Sequence, residues 1–476
     1  MRRVAVGWAA LVAALFLVLV SLPGWPGIIV AAAATIGLAG DSRFGWLGAG
    51  LLVLVALPYG GAADVTNPIS VGAIPIRPPD VIVLLALAGS LQRLSVPPRR
   101  PAGYLVALVA FLAVGIVGVG IGVLVGNDVR DILRDGRWWA SYVAGVLAIL
   151  GAARRPQIER ALVVGATLYA LLLVAAVVLP AIPGGLKALD IRYFAGTLRM
   201  QMSNSAFLVP ATALVAWATL RSPSPWRMAW LGLLFAAQVM SLTRTSILVT
   251  VGVVALAAIV WAWSGYVGRP RTAIKRGAIV AATMGLAFVA AVGLVFVGLP
   301  GPASSQPLPP ATNPLARITF TDSKTGVDAI AGSAVSGGRF ATYVNALKII
   351  EGSPIVGAGM GRLVDVGFAY SEPRAHSLYK QPGVDDAYLT VAVKAGAIGL
   401  VPFLAILLLP MLRAVRQRQI RGWFVPAWLG LLVLTLTQSF AVSSYGPFVV
   451  SLLGSLPFLG PPLRRRIFDR RDSAAA

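Results

Sequence analysis

Long apolar runs, broken by short polar links, organise this chain. They fall near residues 4–22, 26–39, 45–58, 80–95, 103–125, 138–153, 161–180, 205–220, 228–242, 246–264, 277–299, 387–411, 424–441 and 446–461. Most approach the ~20 residues that a straight helix needs to cross a bilayer, whereas 26–39 and 45–58 are shorter and read as a re-entrant pair. Lipid offers no hydrogen bonds, so a spanning backbone must satisfy itself, and continuous apolar runs without strand alternation do so as helices. The pattern predicts an all-α polytopic membrane protein of about 12–14 transmembrane helices. One large extracytoplasmic loop separates the eleventh and twelfth candidate spans. Three regions follow: a transmembrane bundle at 1–299, the loop at 300–386, and C-terminal spans with a basic tail at 387–476. Met1-Arg2-Arg3 ahead of the run to Leu22 reads as a first span, because no small-x-small cleavage site follows it.

The polar positions between the runs are unevenly informative. The segment Asn127 to Arg137 is short and charge-dense, and Gly184 to Ser205 carries Lys187, Asp190, Arg192 and Arg199. Arg244 sits in a tight turn, Leu242-Thr243-Arg244-Thr245-Ser246. The large loop opens on a Pro-rich lead-in from Pro300. Within it, Gly338 to Glu351 predicts a helix: Phe340, Tyr343, Leu347 and Ile350 recur at helical spacing and would lie on the bundle, and Gly352-Ser353-Pro354 ends it. Gly357-Ala358-Gly359-Met360-Gly361 follows, and reads as a tight turn against the bundle, since the βαβ context of a dinucleotide fingerprint is missing.

Composition narrows the class. The 476 residues are 58% hydrophobic and 12% charged, with no cysteine and one histidine. A disulfide framework, a thiolate metal site and a multi-histidine site are excluded. The net charge of +23 suggests nucleic acid at first sight. However, the basic residues cluster on alternate links, at Arg2-Arg3, Arg99-Arg100, Arg154-Arg155, Arg221 with Arg227, Arg269 to Arg276, Arg413 to Arg421 and Arg464 to Arg471. That is the positive-inside pattern, with both termini cytoplasmic, and it leaves no case for nucleic-acid binding.

The candidate chemistry lies on the opposite side. Arg192, Arg199, Arg244 and Arg339 stand near span ends, at headgroup level, where a guanidinium binds phosphate bidentately and keeps its charge. They would serve equally as interfacial anchors. Arg339 opens a helix, which adds the positive end of the helix dipole to its own charge. His376 suits deprotonation of a hydroxyl. Asp385-Asp386, at the mouth of a span, suit either base chemistry or an ordinary helix start. Lys394, inside that span, predicts a carboxylate partner, a donor contact or snorkelling. No metal or cofactor is expected.

Four stretches resemble the O-antigen ligase and O-antigen polymerase superfamily of bacterial envelope glycosyltransferases. They are Gly338-Arg339 with Tyr343, Ile350, Ser353-Pro354, Gly357, Gly359 and Gly361; Tyr388-Leu389 with Gly396, Gly399-Leu400 and Phe403; Thr243-Arg244; and Arg192 through Asn204. The resemblance implies a polyprenyl-diphosphate-linked glycan as donor, a glycan or lipid hydroxyl as acceptor, membrane lipids and other envelope polysaccharide assembly proteins as partners, and the inner membrane as location. It assigns diphosphate binding to Arg244 and Arg339, with Arg192 or Arg199, and substrate contact to Tyr388. The base is left between Asp385-Asp386, which occupy the register before Tyr388-Leu389, and His376, whose His376-Ser377-Leu378-Tyr379 has the look of the family's motif nine residues earlier. A transporter of lipid-linked glycans is the competing class. It would place charges mid-span, and Lys394 is the main one there.

Overall fold

The computed structural model describes residues 69–71, 74–76, 102–150, 155–178, 191–194, 197–200, 205–241, 243–263, 270–298, 339–368, 378–417, 422–442 and 446–459. The expected spans at 4–22, 26–39, 45–58 and 80–95, the Pro-rich lead-in and His376 lie outside them.

The described residues are mostly helical. In chain order the helices are α1 (Ala102–Leu124), α2 (Val129–Ala140), α3 (Val143–Leu150), α4 (Arg155–Val178), α5 (Leu208–Arg221), α6 (Pro225–Met240), α7 (Arg244–Trp263), α8 (Pro270–Gly298), α9 (Arg339–Gly352), α10 (Ala387–Arg416), α11 (Phe424–Thr437) and α12 (Gly446–Ser455). Four of these regions are long and apolar enough to cross a membrane: Gly103–Leu124, Thr245–Trp263, Arg271–Leu294 and Ala387–Arg416. Their outward faces stay apolar, as at Ile116, Leu286 and Val401, which suits lipid as the surrounding solvent.

Three differences from the sequence reading have local causes. The apolar segment 138–153 is divided. Ile132, Asp135, Trp138 and Trp139 are buried on one face of α2, a helical spacing that draws both tryptophans into an amphipathic helix. What remains, α3, has 8 residues and is too short to span. Second, antiparallel hairpins stand in the polar links: β1 (Ile69–Val71) with β2 (Ile74–Ile76), β3 (Ile191–Phe194) with β4 (Thr197–Met200), and β5 (Val364–Phe368) with β6 (Leu378–Gln381). β3 and β4 are joined by two residues, and Phe194 pairs with Thr197 at the turn end of the ladder. Third, α9 forms where expected and packs Tyr343 and Ile350 inward, but Leu347 is not on that face. Leu347 is 48% exposed, while Ala346 is fully buried with Val364, Val384 and Val393. The helix packs on β5 and on α10, and a small side chain allows that close approach.

The larger apolar core among the described residues runs from Tyr104 to Phe458. Phe111 stacks on Trp139 at 4.0 Å, meets Tyr142 edge-on at 5.0 Å, and lies 5.6 Å from Phe403. Gly115 makes room for Trp139, whose ring would lie 2.2 Å from any added Cβ. At one end of the bundle, two arginines cap the C-terminus of α5: Arg276 donates to the carbonyls of Leu220 and Arg221, and Arg227 to those of Ala218 and Ser222. Cations are favoured there by the helix dipole. The candidate site lies at the opposite end.

Candidate functional site

The central feature is a corner in α10. Gly396 has φ 57° and ψ −158°, outside the helical region. A straight helix would hold positions 388 and 403 about 22 Å apart, yet the Tyr388 and Phe403 rings lie 5.7 Å apart. The helix therefore folds over at Gly396 into two arms, 387–395 and 397–416.

A break inside a helix frees carbonyls on one side and amides on the other, and buried groups of this kind need partners. The glycine-rich turn supplies them. Ala358 N donates to Val393 O at 2.8 Å and Gly359 N to Lys394 O at 3.1 Å, while Ala397 N donates to Pro354 O at 2.9 Å and Ile398 N to Ile355 O at 3.1 Å. The same turn reaches α1, where Met360 N donates to Gly118 O at 2.9 Å. Asn127 Nδ2 donates to the carbonyls of Ala358 and Met360. Gly357, Gly359 and Gly361 all have positive φ, and at each an added Cβ would fall within 2.7 Å of neighbouring atoms. The turn against the bundle expected from the sequence is thus a plug that fills the break.

Lys394 is the penultimate residue of the first arm. It is fully buried, and its Nζ lies 2.6 Å from Asp135 Oδ2 on α2. It also donates to the Arg362 carbonyl. Asp135 in turn accepts from Gly361 N at 2.7 Å. The pair therefore ties α2, the plug and the corner together.

The other end of the first arm holds the carboxylates. Asp386 caps α10, accepting from Leu389 N at 2.9 Å. Thr390 Oγ1 donates to the carbonyls of Val384 and Asp386 and accepts from Val384 N, which pins the approach to the helix. Partial burial raises the Asp386 carboxyl above its ordinary value, against the lowering effect of the Leu389 and Tyr388 amides. Tyr388 Oη meets Thr435 Oγ1 at 3.0 Å near the end of α11. Gln438 Nε2, one turn further, donates to Ser246 Oγ at 3.0 Å in the first turn of α7. A polar seam therefore runs from Asp386 and Tyr388 across the end of α11 to the helix that Arg244 opens.

The sequence candidates sort as follows. Asp385, Asp386 and Tyr388 share the mouth of α10, with Asp385 and Asp386 half-buried. The backbone of Arg244 begins α7 at the far side of the seam, and that of Arg339 begins α9, which packs on α10. Arg192 and Arg199 stand directly opposite each other in the β3–β4 register. That hairpin precedes a 3-10 turn (Ser205–Phe207) and α5, which packs on both α7 and α11. Lys394 stands apart from the mouth, in the corner. Sequence reasoning passed over Thr435, Gln438, Ser246, Asp135 and Asn127. Gln438 carried a signal, as a lone amide within the apolar run 424–441. Asp135 carried none beyond its charge-dense neighbourhood.

Residues 229–404, which contain most of α6, α7 to α9, the plug, the corner and the carboxylates Asp385 and Asp386, match the family model described as O-Antigen ligase. The resemblance to the O-antigen ligase and polymerase superfamily is supported over that stretch. A search of curated proteins finds no match to the chain.

Proposed function

We propose that this chain, with its O-antigen ligase stretch at 229–404, transfers a polyprenyl-diphosphate-linked oligosaccharide to an acceptor hydroxyl at the outer face of the bacterial inner membrane. The observation that carries the reading is the polar seam joining the carboxylates of α10 to the Arg244-led start of α7, whose two ends fall inside the matched stretch while Thr435 and Gln438 between them follow it, and which stands opposite the arginine-capped end.

In the proposed reaction the acceptor oxygen attacks the anomeric carbon of the donor sugar from the face opposite the diphosphate. The new C–O bond forms as the bond to the diphosphate oxygen breaks, so the configuration inverts. The acceptor proton passes to a base, Asp386 or Asp385, with His376 the alternative outside the described residues. Arg244 and Arg339, with Arg192 or Arg199, hold the diphosphate and stabilise its growing charge, and helix N-termini add to that field. The chain's own side chains supply this chemistry, and the proposal requires no metal.

A transport path would need polar groups along the spans. Lys394, the mid-span charge, is enclosed and paired with Asp135. This favours transfer over passage.

Arg244→Ala and Arg339→Ala should each abolish transfer, with lipid-linked glycan accumulating on the outer leaflet of cells expressing the variant alone. Turnover unaltered in both removes the diphosphate site. Accumulation on the inner leaflet in cells lacking the protein supports transport instead.

A further inference from the structure

We propose that Asp135 is a positioning residue for the transfer reaction, acting through the Gly396 corner and not on substrate. This rests on the glycan-transfer reading above. Three observations carry it. Asp135 and Lys394 are both buried, with side chains 2% and 0% exposed, and pair at 2.6 Å. Asp135 also holds the plug by the Gly361 amide. Finally, Lys394 is the penultimate residue of the arm whose other end carries Asp386 and Tyr388, and its backbone carbonyl accepts from the plug.

Two ions in an apolar setting are costly, and an apolar pair of similar volume often serves stability as well. What such a pair does supply is direction. Asp135 accepts from an ammonium and an amide at once, so it fixes the corner relative to α2 in one arrangement. The first arm is short and rigid, so a change of angle at Lys394 displaces the carboxylates at its far end. A displacement of about 1 Å at reacting groups can cost on the order of a hundredfold in rate.

The chain has no cysteine, which gives a direct readout of the corner. Ile355 and Ile398 are exposed and joined by a backbone hydrogen bond. Ile355→Cys/Ile398→Cys in the otherwise unchanged full chain should form a disulfide on mild oxidation. Adding Asp135→Asn should abolish that crosslink. In reconstituted full-length protein, fed lipid-linked glycan extracted from cells lacking it, Asp135→Asn should lower kcat by about tenfold or more and leave the donor KM within about twofold. Asp135→Glu, which keeps the charge, should recover part of both signals.

Wild-type kcat in folded Asp135→Asn overturns the proposal. So does a lowered kcat with the crosslink retained. If Asp135→Asn does not accumulate, Asp135→Leu/Lys394→Met removes both charges together and should accumulate, without crosslink and with low kcat; full kcat there reduces the pair to mutual neutralisation and overturns the proposal. A wild-type chain that crosslinks but never consumes lipid-linked glycan sinks the transfer reading, and the positioning role with it. In that case the dependence of the crosslink on Asp135 still reports on the corner.

Discussion

Asp386 has one duty in the structure and a second in the proposed reaction, and one substitution separates them. As the cap of α10 it accepts from the Leu389 amide, and asparagine caps a helix about as well as aspartate does. As a base it must be ionised, and asparagine cannot replace it. Asp386→Asn should therefore keep the melting temperature in detergent close to wild type while transfer is lost. Asp386→Ala should in addition cost about 1 kcal/mol of stability. Full transfer by Asp386→Asn would move the base to Asp385 or His376. The raised carboxyl pKa sets a sign for pH as well. The ionised form is lost as pH falls through a value above the ordinary 3.8, so the acid limb of the rate should lie higher than a free carboxylate would place it. A limb at or below the ordinary value would count against Asp386 as base.

The decisive element is the plug in the α10 corner. Gly357→Ala would place Cβ 2.5 Å from the Ala395 amide, and Gly359→Ala 2.5 Å from that of Gly122. Neither neighbour can yield, because both are backbone, and both glycines have positive φ. Each substitution should cost more than about 1 kcal/mol, read as a lower melting temperature or loss of folded protein. Gly252→Ala meets nothing within 4 Å and should be tolerated; equal behaviour of all three would contradict the described turn. This element also marks where the sequence stopped being legible. Runs of apolar residues located α1, α7 and the start of α10 to within a few residues, because lipid selects on length and composition alone, and helical spacing located α9. The corner lies inside such a run. Gly396-Ala397 looks like any small pair in a span, and the partners that hold it open come from α1, α2 and the glycine-rich turn, distant in sequence. The division of 138–153 stayed hidden for a related reason: hydropathy sees Trp138 and Trp139 as apolar and does not see that they share a face with Asp135. At the mouth, Asp385, Asp386 and Tyr388 were legible from residue type and register. The Thr435–Gln438–Ser246 seam was not, since three helices must first be packed.

At the scale of the whole molecule the two ends of the bundle differ in kind. One has arginines on the C-terminus of α5 and the α5–α6 link; the other has the carboxylates, the seam and the helix-opening arginines. The proposed topology places the first inside and the second outside. In a chain without cysteine, Pro382→Cys in intact cells should react with a membrane-impermeant maleimide, and Pro223→Cys only after lysis. Equal labelling of both in intact cells would refute the orientation.

The pairing of Asp135 with the plug also imposes an order in time. Its amide partner, Gly361, lies 226 residues further along the chain. At a synthesis rate of roughly 5–20 residues per second, a nascent chain holds α2 for about 10–45 seconds before that partner emerges. Through that interval the Asp135 carboxylate must stay in water or borrow a temporary neighbour such as Arg134, and its final partners reach it late. The proposed catalytic mouth is therefore among the last parts of the protein to come into being, and a chain released before Asp385 has been made holds every arginine proposed for the donor but neither carboxylate to oppose them.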